Sequence, residues 1–166
     1  MRNCLKRLKV GQADWQAEKM GEVHGNHQGR VFNLTKEDLG IDPAVIQGML
    51  FILETLMHAL IDPGSTHSFI LHALPGNMGI EAKPLGYSMI ISTPMGRTTE
   101  TSQLIEECEV KIGGDKFQAN LIQLDVYDLN VILGMDFLSK YDANMDCWRK
   151  IVAIRKSGGK LVKFRG

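Results

Sequence analysis

The chain has 166 residues, enough for one ordinary domain and short for two. Apolar residues make up 44% and charged residues 23%, a balance that excludes a disordered or fibrous chain and requires a packed core. With 19 basic and 19 acidic residues the formal net charge is zero, so no global field recruits nucleic acid or an anionic membrane surface.

Residues 1–30 are polar, with Gly11, Gly21, Gly25 and Gly29 spaced through them and little periodicity. They read as a linker or mobile tail ahead of a domain spanning 31–166. The basic start "MRNCLKRLK" is too short and too poor in aromatics for a nucleic-acid patch, and it has no apolar core of a secretory signal. The longest apolar run, "MLFIL", is far below the roughly 20 residues of a membrane span. Cys4, Cys108 and Cys147 are too few and too scattered for a disulfide framework, which favours a reducing compartment. A soluble, intracellular and cytoplasmic protein is expected. His24 and His27 near Cys4 do not make a structural zinc site, which needs four ligands, because this segment has no second cysteine. No metal and no cofactor are expected.

From Val31 the composition changes. "AVIQGMLFILETLMHALID" is nearly continuous in apolar residues, and periodicity alone does not separate a buried helix from two buried strands. Gly48 and the polar break at Glu54-Thr55 favour strands. The stretch "HALIDPGSTHSFI" then sets Asp62 between two apolar runs at a Pro-Gly turn followed by hydroxyls; taken alone, this is an ordinary tight turn with a solvated carboxylate. "YSMIISTPMGRTTETSQ" places β-branched and hydroxyl residues around Pro94-Met95-Gly96, the pattern of an exposed hairpin.

In "ECEVKIGGDKFQANLIQLDV", Cys108, Val110 and Ile112 alternate with charged residues before Gly113-Gly114, and Phe117, Ala119 and Leu121 alternate after it. That predicts a β-hairpin with one buried face. "LNVILGMDFLSKYDA" gives a short apolar strand, a glycine and a helical turn with Met135, Phe137 and Leu138 facing inward. "CWRKIVAIRKSGGKLVKFRG" repeats the hairpin pattern around Ser157-Gly158-Gly159. Short strands at close spacing with one short helix indicate an all-β, barrel-like domain.

Two strand ends stand out together: "ALIDPGST", and "VILG" 72 residues later (134 minus 62). The pattern apolar-apolar-Asp-x-Gly-Ser/Thr, followed by apolar-apolar-Gly ahead of a short helix, resembles the retropepsin-type aspartic proteases. It is most similar to the protease of gypsy-type LTR retrotransposons, in which "RVFNLT", "LIDPGSTHSF", "STPMG", "VILGMDFL" and "DC" occur in this order. The resemblance runs from about residue 30 to the C-terminus. It implies a retropepsin-like closed barrel with one short helix, acting as a homodimer. Asp62 would be the catalytic aspartate, Gly64 would bring backbone N–H groups near its carboxylate, and Ser65 would donate a hydroxyl hydrogen bond to it. Thr66, Ile132, Leu133 and Gly134 would support the catalytic loop, the last three by threading behind it. Thr93, Pro94, Met95 and Gly96 would form the flap over a polypeptide substrate, the Gag-Pol polyprotein, in the cytoplasm or in retrotransposon particles. Plainer roles exist for each: Ser65 as a turn hydroxyl, the flap as a simple hairpin, Gly134 as a helix-entry glycine.

Hydrolysis of this type needs two carboxylates sharing one proton, one taking a proton from water while the other donates to the carbonyl oxygen. The chain has no second Asp-Ser/Thr-Gly: Asp125, Asp128 and Asp136 lack the following turn, and Asp115 follows Gly-Gly. The second carboxylate would therefore come from another copy across a two-fold axis. Pro63 stands where the family commonly has Ser or Thr, and it supplies neither the hydroxyl nor the N–H that would hydrogen-bond across that axis. The alternative is an inactive retroelement-derived relic that binds extended peptides. A nucleocapsid fragment is disfavoured because the chain lacks zinc-knuckle ligands.

Overall fold

The computed structural model describes residues 27–30, 45–92, 98–124 and 130–166. Its elements in chain order are β1 (His27–Arg30), β2 (Ile46–Ile52), β3 (Thr55–Ile61), β4 (Phe69–Leu71), α1 (Ala73–Asn77), β5 (Lys83–Ser92), β6 (Thr98–Ile112), β7 (Asp115–Leu124), β8 (Val131–Leu133), α2 (Met135–Lys140), β9 (Asn144–Asp146), β10 (Ile151–Arg155) and β11 (Leu161–Arg165). The chain is mostly β.

The apolar run beginning at Val45 is a hairpin, β2 with β3, in register from Ile46↔Ile61 to Ile52↔Thr55. Its turn is Leu53-Glu54, both with positive φ (48° and 66°), a conformation that usually selects Asn-Gly. Strand β8 then lies parallel to β3, pairing Ala59↔Val131, Leu60↔Ile132 and Ile61↔Leu133. The paired residues of both strands, 59–61 and 131–133, are buried on both faces. Ala59, Ile61, Val131 and Leu133 join the larger core cluster, while Leu60 and Ile132 join a second cluster with Phe69, Met89, Ile91 and Leu124. Parallel strands buried on two faces show no alternation, which is why periodicity was silent here.

Eight strands form one sheet in the order β1-β5-β6-β2-β3-β8-β4-β7, and the additional β6–β7 pairing closes the circuit from β6 through β2, β3, β8, β4 and β7. Closure is uneven. β2 meets β6 through only Phe51↔Lys111 and Ile52↔Val110, whereas β6 and β7 pair along most of their length. The expected β6–β7 hairpin turns at Gly113 and Gly114, whose positive φ values (57° and 84°) suit a tight turn. Within β6 the register shifts between Ile105 and Cys108, with Glu107 in the left-handed region at φ 49°.

The sheet differs from the sequence expectation at two points. There are two short helices among the described residues rather than one: α1 holds Pro75 and Gly76, poor helix formers that hide it from a propensity reading. In addition β1, within the segment expected to be linker or tail, pairs in parallel with β5 from His27↔Met89 to Arg30↔Ser92. The C-terminal hairpin β10–β11 appears as expected and forms a second, three-stranded sheet with β9. This sheet is fastened to β2: Lys150 Nζ donates to Val45 O at 2.8 Å, and Val162 enters the larger core.

Candidate active site

Asp62 ends β3 and is 1% exposed. Its backbone N–H donates to Leu133 O at 3.0 Å, extending the β3–β8 pairing by one step to the carboxylate. The Pro63-Gly64 turn then brings the Gly64 N–H to 2.8 Å from Asp62 Oδ1. A backbone donor aimed at a carboxylate oxygen holds that oxygen in place. Ser65 N–H closes the turn onto Asp62 O at 3.2 Å.

The loop after Asp62 is docked on the β8–α2 junction. Met135 N–H donates to Ser65 O at 2.8 Å. Gly134 is required by space: a Cβ built there would lie 2.7 Å from His67 C and 2.8 Å from Ser65 O, and nearer still to His67 O. All three are backbone atoms. Ile132, Leu133 and Gly134 are thus brought against residues 62–68, with Ile132 and Leu133 wholly buried.

The hydroxyl bond expected from Ser65 to Asp62 is not made. Ser65 Oγ is buried and has no hydrogen-bond partner among the described residues. Both its backbone groups are committed, N–H to Asp62 O and C=O to Met135 N–H, so the residue contributes to the turn through its main chain. Thr66 is exposed, with Oγ1 2.9 Å from His67 Nδ1.

Two side chains at this junction escaped the sequence reading as contributors. Ser68, fully buried, donates from Oγ to Asp136 Oδ1 at 2.6 Å and accepts the Gly134 N–H at 3.0 Å. Asp136 Oδ1 also accepts its neighbour Phe137 N–H at 2.7 Å. Helix α2 is itself seated on β7 by rings: Phe137 and Tyr141 have centroids 5.0 Å apart, and Phe117 lies 5.0 Å from Tyr141. Tyr141 Oη donates to Gln118 O and accepts from Gln118 N–H.

Of the other aspartates weighed from sequence, Asp115 is held at the β6–β7 turn by Lys160 and Lys156, at 2.5 and 3.0 Å. These hydrogen bonds, Lys160's foremost, hold its carboxyl below the usual carboxylate range. Asp125 and Asp128 lie outside the described residues, as do Cys4, His24 and the hairpin tip Thr93, Pro94, Met95 and Gly96. The arms that lead to that tip are described: β5 and β6 pair up to Ser92↔Thr98. Among the described residues no group of three or more His, Cys, Asp or Glu is placed to hold a metal ion, and no helix is long and apolar enough to cross a membrane.

A family model of the retroviral aspartyl protease matches residues 26–160. The structure is similar to the crystal structure of the retroviral protease-like domain of Ddi1 from Leishmania major, with a TM-score of 0.54 and 16% sequence identity over 72% of this chain and 92% of that one. At that identity the likeness speaks for the fold. No curated protein matches the chain.

Proposed function

Because the chain belongs to the retroviral aspartyl protease family, we propose that it is an active aspartic endopeptidase whose site is completed by a second copy, Asp62 of each chain supplying one carboxylate. The observation that carries this reading is the Asp62 turn itself: a buried carboxylate at the end of a core strand, fixed by the Gly64 N–H at 2.8 Å and braced from behind by Leu133 and Gly134. Such bracing suits chemistry that needs a carboxylate oxygen held in place.

Two carboxylates brought together across a two-fold axis cannot both ionise, so one stays protonated. The ionised one takes a proton from water as that water attacks the peptide carbonyl, and the protonated one donates to the carbonyl oxygen. The tetrahedral intermediate then breaks its C–N bond as the leaving nitrogen takes the proton that the first carboxylate removed from water, and the hydroxyl made from the carbonyl oxygen returns its proton to the second carboxylate as the C=O re-forms. The arms of β5 and β6 carry the hairpin that would close over an extended polypeptide. The motif order favours a gypsy-type retrotransposon source, Gag-Pol as substrate and a cytoplasmic or particle location.

Pro63 favours a second reading, in which the domain keeps the fold and binds extended peptides without cleaving them. It removes two donors from the turn that would lie on the axis. The experiment is incubation of purified protein with its parent polyprotein or a peptide library over a pH series, with and without pepstatin, beside Asp62→Asn. Pepstatin-sensitive cleavage that is lost in the Asn variant and falls steeply on dilution supports the enzyme. Cleavage equal in both proteins removes Asp62 from the mechanism, and peptide binding without cleavage establishes the second reading.

A further inference from the structure

We infer that Asp136 is a positioning residue for Asp62, acting through the Ser68 hydroxyl; the inference rests on the peptidase reading for its effect on rate, but not for its effect on structure. Among the described residues, these hydrogen bonds join the 62–68 loop to the β8–α2 junction. Two are backbone to backbone, Asp62 N–H to Leu133 O and Met135 N–H to Ser65 O, and any sequence with this path could make them. The other two run through side chains: Gly134 N–H to Ser68 Oγ at 3.0 Å, and Ser68 O–H to Asp136 Oδ1 at 2.6 Å. Only these depend on residue identity.

The hydroxyl of Ser68 works as a relay with a definite polarity. Its lone pair takes the Gly134 N–H, so its proton must go elsewhere, and Asp136 Oδ1 is where it goes. Without an acceptor at residue 136, that proton is left in a wholly buried place and the hydroxyl is free to turn away from Gly134. Gly134 follows directly on Leu133, whose carbonyl holds the Asp62 N–H. Loosening Gly134 therefore loosens the backbone bond from Asp62 N–H to Leu133 O, which joins the start of the turn to β8. Asp136 is itself anchored, since Oδ1 also accepts the Phe137 N–H and the Phe137 ring packs in the core. What the site requires of residue 136 is an acceptor oxygen at Oδ1, which Asn also provides.

The test uses Asp136→Ala, Asp136→Asn and Ser68→Ala, with kcat expressed per active site titrated by a tight-binding transition-state inhibitor. Amide exchange at Gly134 and Asp62 is read on the same proteins. Asp136→Ala is expected to lower kcat per titrated site about tenfold or more, as displacement of a reacting group does, with KM changed less than about twofold. Exchange at Gly134 should quicken about tenfold, Ser68→Ala should do the same, and Asp136→Asn should return both readouts to near wild type. A residue that merely stabilised the fold would reduce the number of titratable sites and leave kcat per site alone, which overturns the inference. It is also overturned if Asn behaves like Ala, or if Gly134 exchange is unchanged in Asp136→Ala. Should the wild type cleave nothing, the peptidase reading falls separately, and Gly134 exchange in the Ala and Asn variants still decides the relay.

Discussion

Replacing Gly134 by Ala is the most direct test of how the candidate active site is built. The added Cβ would lie 2.7 Å from His67 C where ordinary contact begins at 3.4 Å, so the two backbones must part by at least 0.7 Å (3.4 minus 2.7). Side-chain movement does not relieve this, because the three nearest atoms are main chain. Parting them stretches Asp62 N–H to Leu133 O, Met135 N–H to Ser65 O and Gly134 N–H to Ser68 Oγ, now 3.0, 2.8 and 3.0 Å. Each is worth roughly 0.5–1.5 kcal/mol net, and overpacking a tight interior costs about 1–3 kcal/mol more. The expected loss is about 3 kcal/mol or greater, a large part of a typical domain's 5–15 kcal/mol. For a chain of this size that is a fall in Tm of roughly 6–12 °C. Urea unfolding of Gly134→Ala beside Gly76→Ala measures it, since a Cβ at Gly76 meets nothing within 4 Å. If Gly134→Ala unfolds within about 0.5 kcal/mol of wild type, an amount typical of neutral surface changes, the loop and the β8–α2 junction are not in the contact described.

Glu107→Gly should stabilise the domain by about 0.5–1 kcal/mol, because left-handed strain of roughly 1–2 kcal/mol outweighs glycine's extra unfolded-state entropy of about 0.5–1 kcal/mol; Glu107→Ala, still at φ 49°, should gain nothing, and a destabilised Gly variant in the same unfolding assay sinks the assignment. The Asp115 carboxyl is held low by Lys160 and Lys156, so its contribution is present above the unfolded pKa and is lost as pH falls through the depressed folded value. Asp115→Asn should therefore be less stable than wild type at pH 6, with the gap narrowing towards pH 3 in parallel urea titrations; a gap that widens on acidification contradicts the pairing. The Cys108 thiol is pushed up to about 11, by burial first and then by Glu109. Iodoacetamide at pH 8 should leave it unmodified until the protein unfolds, and peptide mass spectrometry finding native-state alkylation would refute the buried placement.

Legibility in the sequence followed how many structures a pattern could encode. The β6–β7 and β10–β11 hairpins were readable because one face of each alternates and a Gly pair supplies positive φ at the turn. The β2–β3 hairpin was ambiguous, since the end of β3 at residues 59–61 is covered on both faces and its turn uses Leu53-Glu54 in place of turn-forming residues. Helix α1 was invisible behind Pro75-Gly76. Asp62, Gly64 and the Ile132-Leu133-Gly134 run form patterns unusual enough to be noticed, and the fold brings them together. Ser68 and Asp136 form no such pattern. A serine and a carboxylate 68 positions apart have many surface uses, and it is the antiparallel pairing of β4 with β8, from Phe69↔Ile132, that makes them neighbours.

The C-terminal hairpin sets where the domain can be cut for expression. The family match stops at residue 160, yet β11 begins at Leu161, and its Val162 is 5% exposed in the same apolar cluster as Ile46 and Leu50. Phe164 occupies the space over Gly48 that any side chain at that position would claim, and Gly166 closes onto Lys150 O at 3.0 Å. A fragment trimmed to the matched boundary would leave β10 with one unpaired edge and open the core beneath β2. Residues 161–166 therefore belong in any recombinant version of this domain.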